Sequence, residues 1–476
     1  MTTITLGPII GHTTDTSAKI WIRGAKGPNH ASREFCYGAF DLYDGAKLVA
    51  SKYCFLKDYY DFTGVVKFDG LKADTAYRLE CGLVYKRDAQ APTTDVLVQG
   101  PVVNSTEKVG TTFKTHRSSD DTTLNFVFGS CRYLYWDNVF LNDAEKGDKT
   151  FRSIFTQHQQ NPLDFFLAVG DQVYADPLNK LHEYSNFDEL CEIYRKSFKL
   201  SNIRELMSRV PTYMILDDHE IRNDWSKNQM RDENSGFFAT RMRAYASYQH
   251  LHNPDTPNGQ FWYTFDKGPF PFFVMDTRTL RISEATSIEG KTMLGREQLN
   301  AFLEWLHENR NAPVKFVVSS VPFFPDPKPA KGSEDKWAGF NDERSMILEF
   351  IRVEGINDVV FLSGDVHNSS FARMRCYQDQ QFLLTSLVSS PFYWPYPHES
   401  KSDFYGGKTL EFMQWSDGSR RLRDRIEYRY EGEGFIGDEN FTRVSVDIGK
   451  GKPWCSAEIF DRKGQLFREY SKVFLF

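Results

Sequence analysis

Hydrophobic positions change period partway along the chain. In residues 1–117, SAKIWIRG (Ser17–Gly24) and TAYRLECGLVY (Thr75–Tyr85) alternate apolar and polar side chains. Period two marks half-buried strands. A polar stretch, KTHRSSDDTT (Lys114–Thr123), reads as a linker. Beyond it, short apolar runs alternate with helix-period segments, which predicts an α/β fold over residues 122–476. TFRSIFTQHQQNP predicts a helix stopped at Pro162. GREQLNAFLEWLHEN places Leu299, Phe302, Leu303 and Leu306 on one helical face. NDERSMILEFIRVEG predicts a helix capped by Asn341, burying Ile347, Phe350 and Ile351 and ending at Gly355. The tail, FTRVSVDIGKGKPWCSAEIFDRKG, returns to hairpin-like alternation.

In the first region, GLKADTAYRL spaces Leu71 and Tyr77 as at the corner of immunoglobulin-like sandwiches. Residues 1–117 are therefore expected to form such a β-sandwich domain.

Composition narrows the class. With 476 residues, 40% hydrophobic and 26% charged, the chain can bury a sizeable core, and two domains are expected. A net charge of −6 argues against general nucleic-acid binding, which wants a basic surface. The seven cysteines form no CxxC pair and read as reduced, mostly buried thiols. No transmembrane run and no signal-like N-terminus is visible, so a cytoplasmic location is expected, a mature secreted form being the other reading.

The chemistry gathers where the apolar runs of the second region end. LNFVF leads into Gly129-Ser130-Cys131-Arg132, and FFLAV into Gly170-Asp171-Gln172-Val173-Tyr174. YMIL leads into Asp217-Asp218-His219-Glu220, and FFVM into Asp276-Thr277-Arg278. VKFVVSS leads into Val321-Pro322, and VVFLS into Gly364-Asp365-Val366-His367. Ligands of open α/β sheets bind at the carboxyl ends of strands. Five of these six exits carry side chains able to hold a metal or a phosphate, where solvated loops would scatter Lys, Ser and Asn. Adjacent carboxylates repel unless solvent or a cation separates them.

GSCR, GDQVY, DDHE, DTR and GDVH, in this order, resemble the alkaline phosphatase D family of metallophosphoesterases. The resemblance spans essentially the whole chain. It implies a four-layer αββα metallophosphoesterase sandwich over residues 122–476, preceded by the immunoglobulin-like domain. Purple acid phosphatases share the layout with different side chains.

Carried over residue by residue, the resemblance implies two metals. Cys131, Asp171, Tyr174 and His367 would hold the first, and a thiolate-phenolate-carboxylate-imidazole set favours Fe(III). Asp171 as a bridge, Asp218 and Asp365 would hold the second. Ser320 stands where purple acid phosphatases have an imidazole, so only oxygens remain, which suits Ca(II), then Mg(II) or Mn(II). His219 would face the substrate, binding a phosphoryl oxygen or protonating the leaving oxygen. Arg132 would clamp a phosphate oxygen, with Arg278 and Asn223 as further substrate contacts, although either arginine could equally pair with one of the many acids. Asp217 would orient a neighbour.

Each residue has a plainer reading. A lone cysteine is usually a small buried hydrophobe, a lone tyrosine usually a core residue, and Gly-Asp an ordinary turn. The nine other histidines, His30 and His182 among them, read as surface or packing. SSPFYWPYPHES (Ser389–Ser400) reads as a rigid packed loop that could also wall a pocket, and FFPDPKPAKGSEDKW as a mobile flap.

The expected activity is metal-dependent hydrolysis of a small phosphate ester, of phosphodiesterase or alkaline phosphatase type. A phospholipase D-like or nucleotide-directed diesterase is the alternative within that chemistry. A binding protein beside a silent hydrolase domain is the non-enzymatic one, disfavoured because every mapped exit keeps a ligand.

Overall fold

The computed structural model describes residues 3–26, 35–86, 96–98, 100–103, 107–118, 120–134, 144–176, 184–231, 236–285, 290–415, 422–449, 453–468 and 472–475. His30 and His182 lie outside them. Within this range the fold is mixed α/β, built on four sheets.

The N-terminal part is all-β up to Lys114 apart from one short turn of helix. The strands Leu6–Thr13, Ser17–Arg23 and Thr63–Asp69 make one sheet. Val96–Val98, Lys47–Phe55, Phe35–Asp44, Ala76–Lys86 and Val109–Lys114, in that spatial order, make a second. Alternate residues of both sheets, such as Ile20 and Ile22 from one and Phe40, Leu42 and Leu79 from the other, share one apolar core. Tyr77 is buried, and its hydroxyl accepts a hydrogen bond from the backbone N–H of Lys72 at 2.9 Å, closing the corner that the Leu71–Tyr77 spacing predicts. This part docks on the rest through specific contacts. Trp21 Nε1 donates to the Ser247 carbonyl at 2.8 Å, and Asp61 pairs with Arg23 and with Arg195.

Two larger sheets follow. In the first, Thr212–Ile215, Phe165–Val169 and Thr123–Gly129 run parallel. Asn440–Asp447, Trp454–Asp461 and Lys472–Leu475 extend that sheet antiparallel, so the end of the chain completes it. The second sheet has eight strands, with Phe270–Val274, Lys315–Val318, Val359–Ser363 and Leu383–Val388 parallel at its centre. Both centres are apolar on both faces, as parallel strands covered on both sides require. Phe126 and Phe128 pack with Phe272 and Phe316 of the other sheet. Val127, one residue out of phase, packs instead with Phe151, Phe198 and Leu206 of the helices Ala144–Gln160, Phe187–Phe198 and Ser201–Arg209. On the far side, Phe273, Val317 and Phe361 pack with the helices Gly295–Glu308 and Asn341–Val353.

Two local expectations need correcting. Asn341 does not cap its helix. Phe340 occupies the cap without a side-chain bond, because the Asn341 amide oxygen is taken by the buried Arg344 at 2.7 Å. On Gly295–Glu308, Phe302 and Leu306 are buried with Trp305, while Leu299 and Leu303 are only partly covered at the edge of the stripe.

Candidate functional site

The strand ends of the two large sheets converge, and their backbone is unusual there. Cys131 (φ 55°), Asp171 (φ 55°), Asp365 (φ 70°) and His367 (φ 46°) all adopt the left-handed conformation. That conformation costs an L-residue about 1–2 kcal/mol. It persists only where surroundings over-determine it, and it collects at functional sites. Gly170 (φ 102°) shows how tightly the exits meet, since a Cβ there would stand 2.5 Å from that of Asp217.

Among the described residues three groups of possible metal ligands form, each offering ligand atoms within 4.8 Å of one another: Asp171 with Asp218 and His219; Asp171 with Asp217, Asp218 and Asp365; and Asp218 with Asp224 and Asp335. Cys131 and Tyr174 join through Asp171. The Cys131 thiol donates to Asp171 Oδ2 at 3.3 Å and the Tyr174 hydroxyl to the same oxygen at 3.4 Å. His367 stands beside the cluster with its ring stacked on Trp394 at 3.6 Å, and its buried Nε2 has no hydrogen-bond partner. Asp218 accepts from Asp224 N–H at 2.7 Å through Oδ2, while its buried Oδ1 accepts no hydrogen bond. Thus Cys131, Asp171, Tyr174, Asp217, Asp218, His219 and Asp365, seven residues from four strand exits, meet, with His367 flanking through Trp394.

Burial and crowding act on the protons. Burial, with Asp218 and Asp217 close by, holds the Asp171 carboxyl well above the usual range against the opposing pull of His219. Burial likewise pushes Asp365 up to about 7, with Asp217 and Asp218 adding to it. Asp218 goes the other way, to about 2, because Arg278 and His219 outweigh its desolvation. Burial and the charges of Asp171 and Asp365 push the Cys131 thiol up. Two buried carboxyls with raised proton affinity, an Asp218 oxygen that accepts no hydrogen bond and an imidazole nitrogen without a hydrogen-bond partner make a donor set suited to a cation. The donor set therefore fits a metal.

The chain supplies cations of its own. Arg278, fully buried, donates from Nε to Asp217 at 2.5 Å and from Nη1 to Asp335 at 2.8 Å, and its Nη2 lies 3.6 Å from Asp218. Arg281 also pairs with Asp335. The Lys336 ammonium contacts Asp365 and lies 3.0 Å from Asp335. Burial alone would lower the Lys336 pKa, but Asp365 and Asp335 raise it. Asp335 and Lys336 belong to the segment expected to be a mobile flap. Instead Trp337 is fully buried, donating to Ser319 Oγ at 3.0 Å and packing its ring on Phe323 at 5.0 Å, and so anchors the segment in the core.

Beneath the cluster, Glu220 ties two exits together. Its Oε2 accepts from the backbone N–H of Asp171 at 3.1 Å and of Asp217 at 2.9 Å. Its Oε1 accepts from Gln172 N–H at 2.7 Å and Gln249 Nε2 at 2.9 Å. Ser320 donates to Asp217 Oδ1 at 2.9 Å.

His219 pairs through Nδ1 with Asp176 at 2.7 Å and lies over the Tyr174 ring at 4.2 Å. Burial would lower its pKa, yet Asp176, Asp218 and Asp171 raise it well above the usual value. Asn223 is exposed beside it, its N–H on Asp176 at 2.5 Å and its amide on Asp224 at 2.8 Å.

Arg132 is turned elsewhere. Its guanidinium lies 5.1 Å from the Phe151 ring and 5.7 Å from that of Phe198, donating to the Ser197 carbonyl at 3.3 Å. The strand has ended and the backbone turns at the left-handed Cys131, which leaves Cys131 toward the carboxylates and Arg132 among the helices. In this geometry it does not clamp a phosphate at the cluster. Arg278 is at the cluster but wholly buried in its ion pairs, the acid-partner reading of that residue.

Glu220, Asp335, Lys336, Trp394 and Asp176 were not among the expected site residues. Glu220 is the last residue of the DDHE motif and Asp176 lies two residues beyond GDQVY, a signal that could have found them. Asp335 and Lys336 have none, because they lie far from any strand end in sequence. The aromatic loop packs and also walls the site. Phe392 N–H donates to Ser130 O at 2.8 Å and Tyr393 N–H to Cys131 O at 3.1 Å, while Trp394 backs His367.

Comparisons with known proteins agree with the motif order. Alkaline phosphatase D of Bacillus subtilis (strain 168) is 27% identical over 285 residues, covering 52% of this chain and 46% of that protein. The chain thus aligns with about half the length of that relative. A solved structure of PhoD superposes with a TM-score of 0.66 at 17% identity, covering 99% of this chain and 92% of the other, which establishes a shared fold. The model of the PhoD-like phosphatase family matches residues 126–422, more than half of the sequence and every strand exit described above. The chain belongs to the PhoD-like phosphatase family.

Proposed function

We propose that this protein is a binuclear metal-dependent phosphoesterase that hydrolyses small phosphate esters. The observation that carries this reading is the convergence of Cys131, Asp171, Tyr174, Asp218 and Asp365, with His367 beside them, at the ends of four strands, where Cys131, Asp171, Asp365 and His367 take left-handed backbone. Cys131, Asp171, Tyr174 and His367 would hold Fe(III); Asp171, Asp218 and Asp365 would hold a harder ion, Ca(II) before Mg(II) or Mn(II). When bound, such ions lower the pKa of water and neutralise phosphoryl oxygens.

The chain's own residues take the other roles. His219, paired with Asp176, is placed to hydrogen-bond a phosphoryl oxygen and to protonate the departing alkoxide. Asn223 is exposed beside it as a substrate contact. Arg278 and Glu220 hold the carboxylates in place from behind. Tyr396, 42% exposed and 5.3 Å from Trp394, gives the rim an aromatic surface suited to a diester's second substituent. Residues 1–117 as an immunoglobulin-like sandwich domain and 122–476 as a four-layer αββα domain are part of the same reading. The shared cores on either side of the two large sheets support it.

Purified protein should contain iron and absorb visible light through charge transfer from the Cys131 thiolate or Tyr174 phenolate. It should cleave bis-nitrophenyl phosphate or nitrophenyl phosphate with calcium present. A colourless, iron-free and fully active preparation would refute the first-site assignment.

A further inference from the structure

We propose that Lys336 is a resident cation that competes with the second divalent ion for Asp365. This rests on the metal-centre reading above. The ammonium contacts Asp365 and lies 3.0 Å from Asp335, with the side chain 9% exposed. It therefore joins two of the close carboxylate groups, since Asp365 belongs to the set with Asp171, Asp217 and Asp218, and Asp335 to the set with Asp218 and Asp224. An ion shared by Asp171, Asp218 and Asp365 would draw on a carboxylate whose charge Lys336 already neutralises.

Charge counting points the same way. Asp217, Asp218, Asp335 and Asp365 are met by Arg278, Arg281 and Lys336, four carboxylates against three fixed cations. Asp171 and Asp224 complete these groups, so negative charge still exceeds the three cations and a divalent ion enters a set that they partly neutralise. Removing one buried positive charge leaves Asp365 and Asp335 under-compensated and strengthens the pull on an incoming ion. The anchor is rigid while the side chain is not. Trp337 is locked in the core and the Lys336 carbonyl accepts from Gly339 N–H at 2.8 Å, whereas a lysine stem has four rotatable carbons on which to withdraw. The expected consequence is ordered loading, with a tight Asp171–Cys131 site and a second site whose affinity Lys336 holds down.

Calorimetric titration of the protein as purified with calcium chloride tests this, comparing wild type with Lys336→Met and Lys336→Gln. Each variant should bind calcium about tenfold more tightly or better, and its melting temperature should rise further on adding calcium than that of wild type. Lys336→Arg, which keeps the charge, should stay near wild type. Far-ultraviolet circular dichroism checks that the variants fold, and growth with added calcium supplies the ion should they need it. Unchanged or weaker calcium affinity in both neutral variants would overturn the role of Lys336 and leave the metal centre standing. No calcium binding by any of the proteins would instead overturn the second metal site itself, and this inference with it.

Discussion

Glu220 is the residue on which the geometry of the cluster most depends, and its replacement has a calculable cost. Its Oε2 serves the N–H groups of Asp171 and Asp217, and its Oε1 those of Gln172 and the Gln249 amide. A buried donor left without an acceptor costs about 1–3 kcal/mol. In Glu220→Gln one oxygen becomes an NH2 group. Placed on the Oε2 side, it would strand two backbone donors, at about 2–6 kcal/mol. On the Oε1 side, Gln249 can turn its amide, whose Oε1 is now buried without a partner, and accept from the new NH2. The Tyr194 hydroxyl, 3.2 Å from that amide, can donate to the same oxygen. Gln172 N–H is then stranded, and so is the turned Gln249 NH2, which points where its oxygen had no partner. Either arrangement strands two donor groups, so Glu220→Gln should lose about 2–6 kcal/mol, less whatever is recovered by no longer burying a charge. Glu220→Ala strands all four donors, about 4–12 kcal/mol, comparable to the whole stability of a typical domain. Urea unfolding followed by tryptophan fluorescence, with a chelator present so that metal linkage does not enter, measures both. A Glu220→Gln midpoint equal to wild type, or a Glu220→Ala protein that folds normally, would refute the role assigned to this carboxylate.

Asp218→Asn should reduce phosphodiester turnover by about a hundredfold or more while shifting the melting temperature little, because it removes a charge at the reacting end and not a packing group; undiminished activity would count against the second metal site. Lys267, buried against the Thr13 carbonyl, has its pKa pulled down by burial to about 8, with Asp164 opposing. Between about pH 8 and its ordinary value of 10.5 the unfolded chain holds more protons, so stability should rise with pH across that window, by up to about 3 kcal/mol. Lys267→Met should flatten that rise in unfolding curves taken at several pH values, and a rise of the same size in the variant would assign it elsewhere. Tyr77→Phe leaves Lys72 N–H without its acceptor and should cost about 1–3 kcal/mol in thermal or urea unfolding, with no change in metal content.

The amino-acid pattern alone determined the elements and much of the chemistry. Period two in SAKIWIRG, continuous apolar runs such as FFLAV, and helical stripes such as Phe302 and Leu306 are consequences of burial that hold wherever the segment ends up. Because ligands gather at the carboxyl ends of parallel strands, residues just after those runs could be named before any coordinates, and Asp171, Asp218 and Asp365 do meet. Where the outcome turned on direction or on distant partners, only the tertiary structure decided. Arg132 follows Cys131 by one residue, yet turns away into an aromatic pocket, past a left-handed turn at Cys131 that the apolar pattern does not announce. Asn341 loses its capping role to Arg344, a competitor on its own helix. Lys336 stands 29 residues before Asp365 (365 less 336) in a segment with no strand or helix period, and reaches it because Trp337 is buried beside Phe323. Sequence spacing encodes which face of an element is apolar. It does not encode which buried charges from separate segments will neutralise one another, because Coulombic pairing depends on distances that exist only after the sheets have packed.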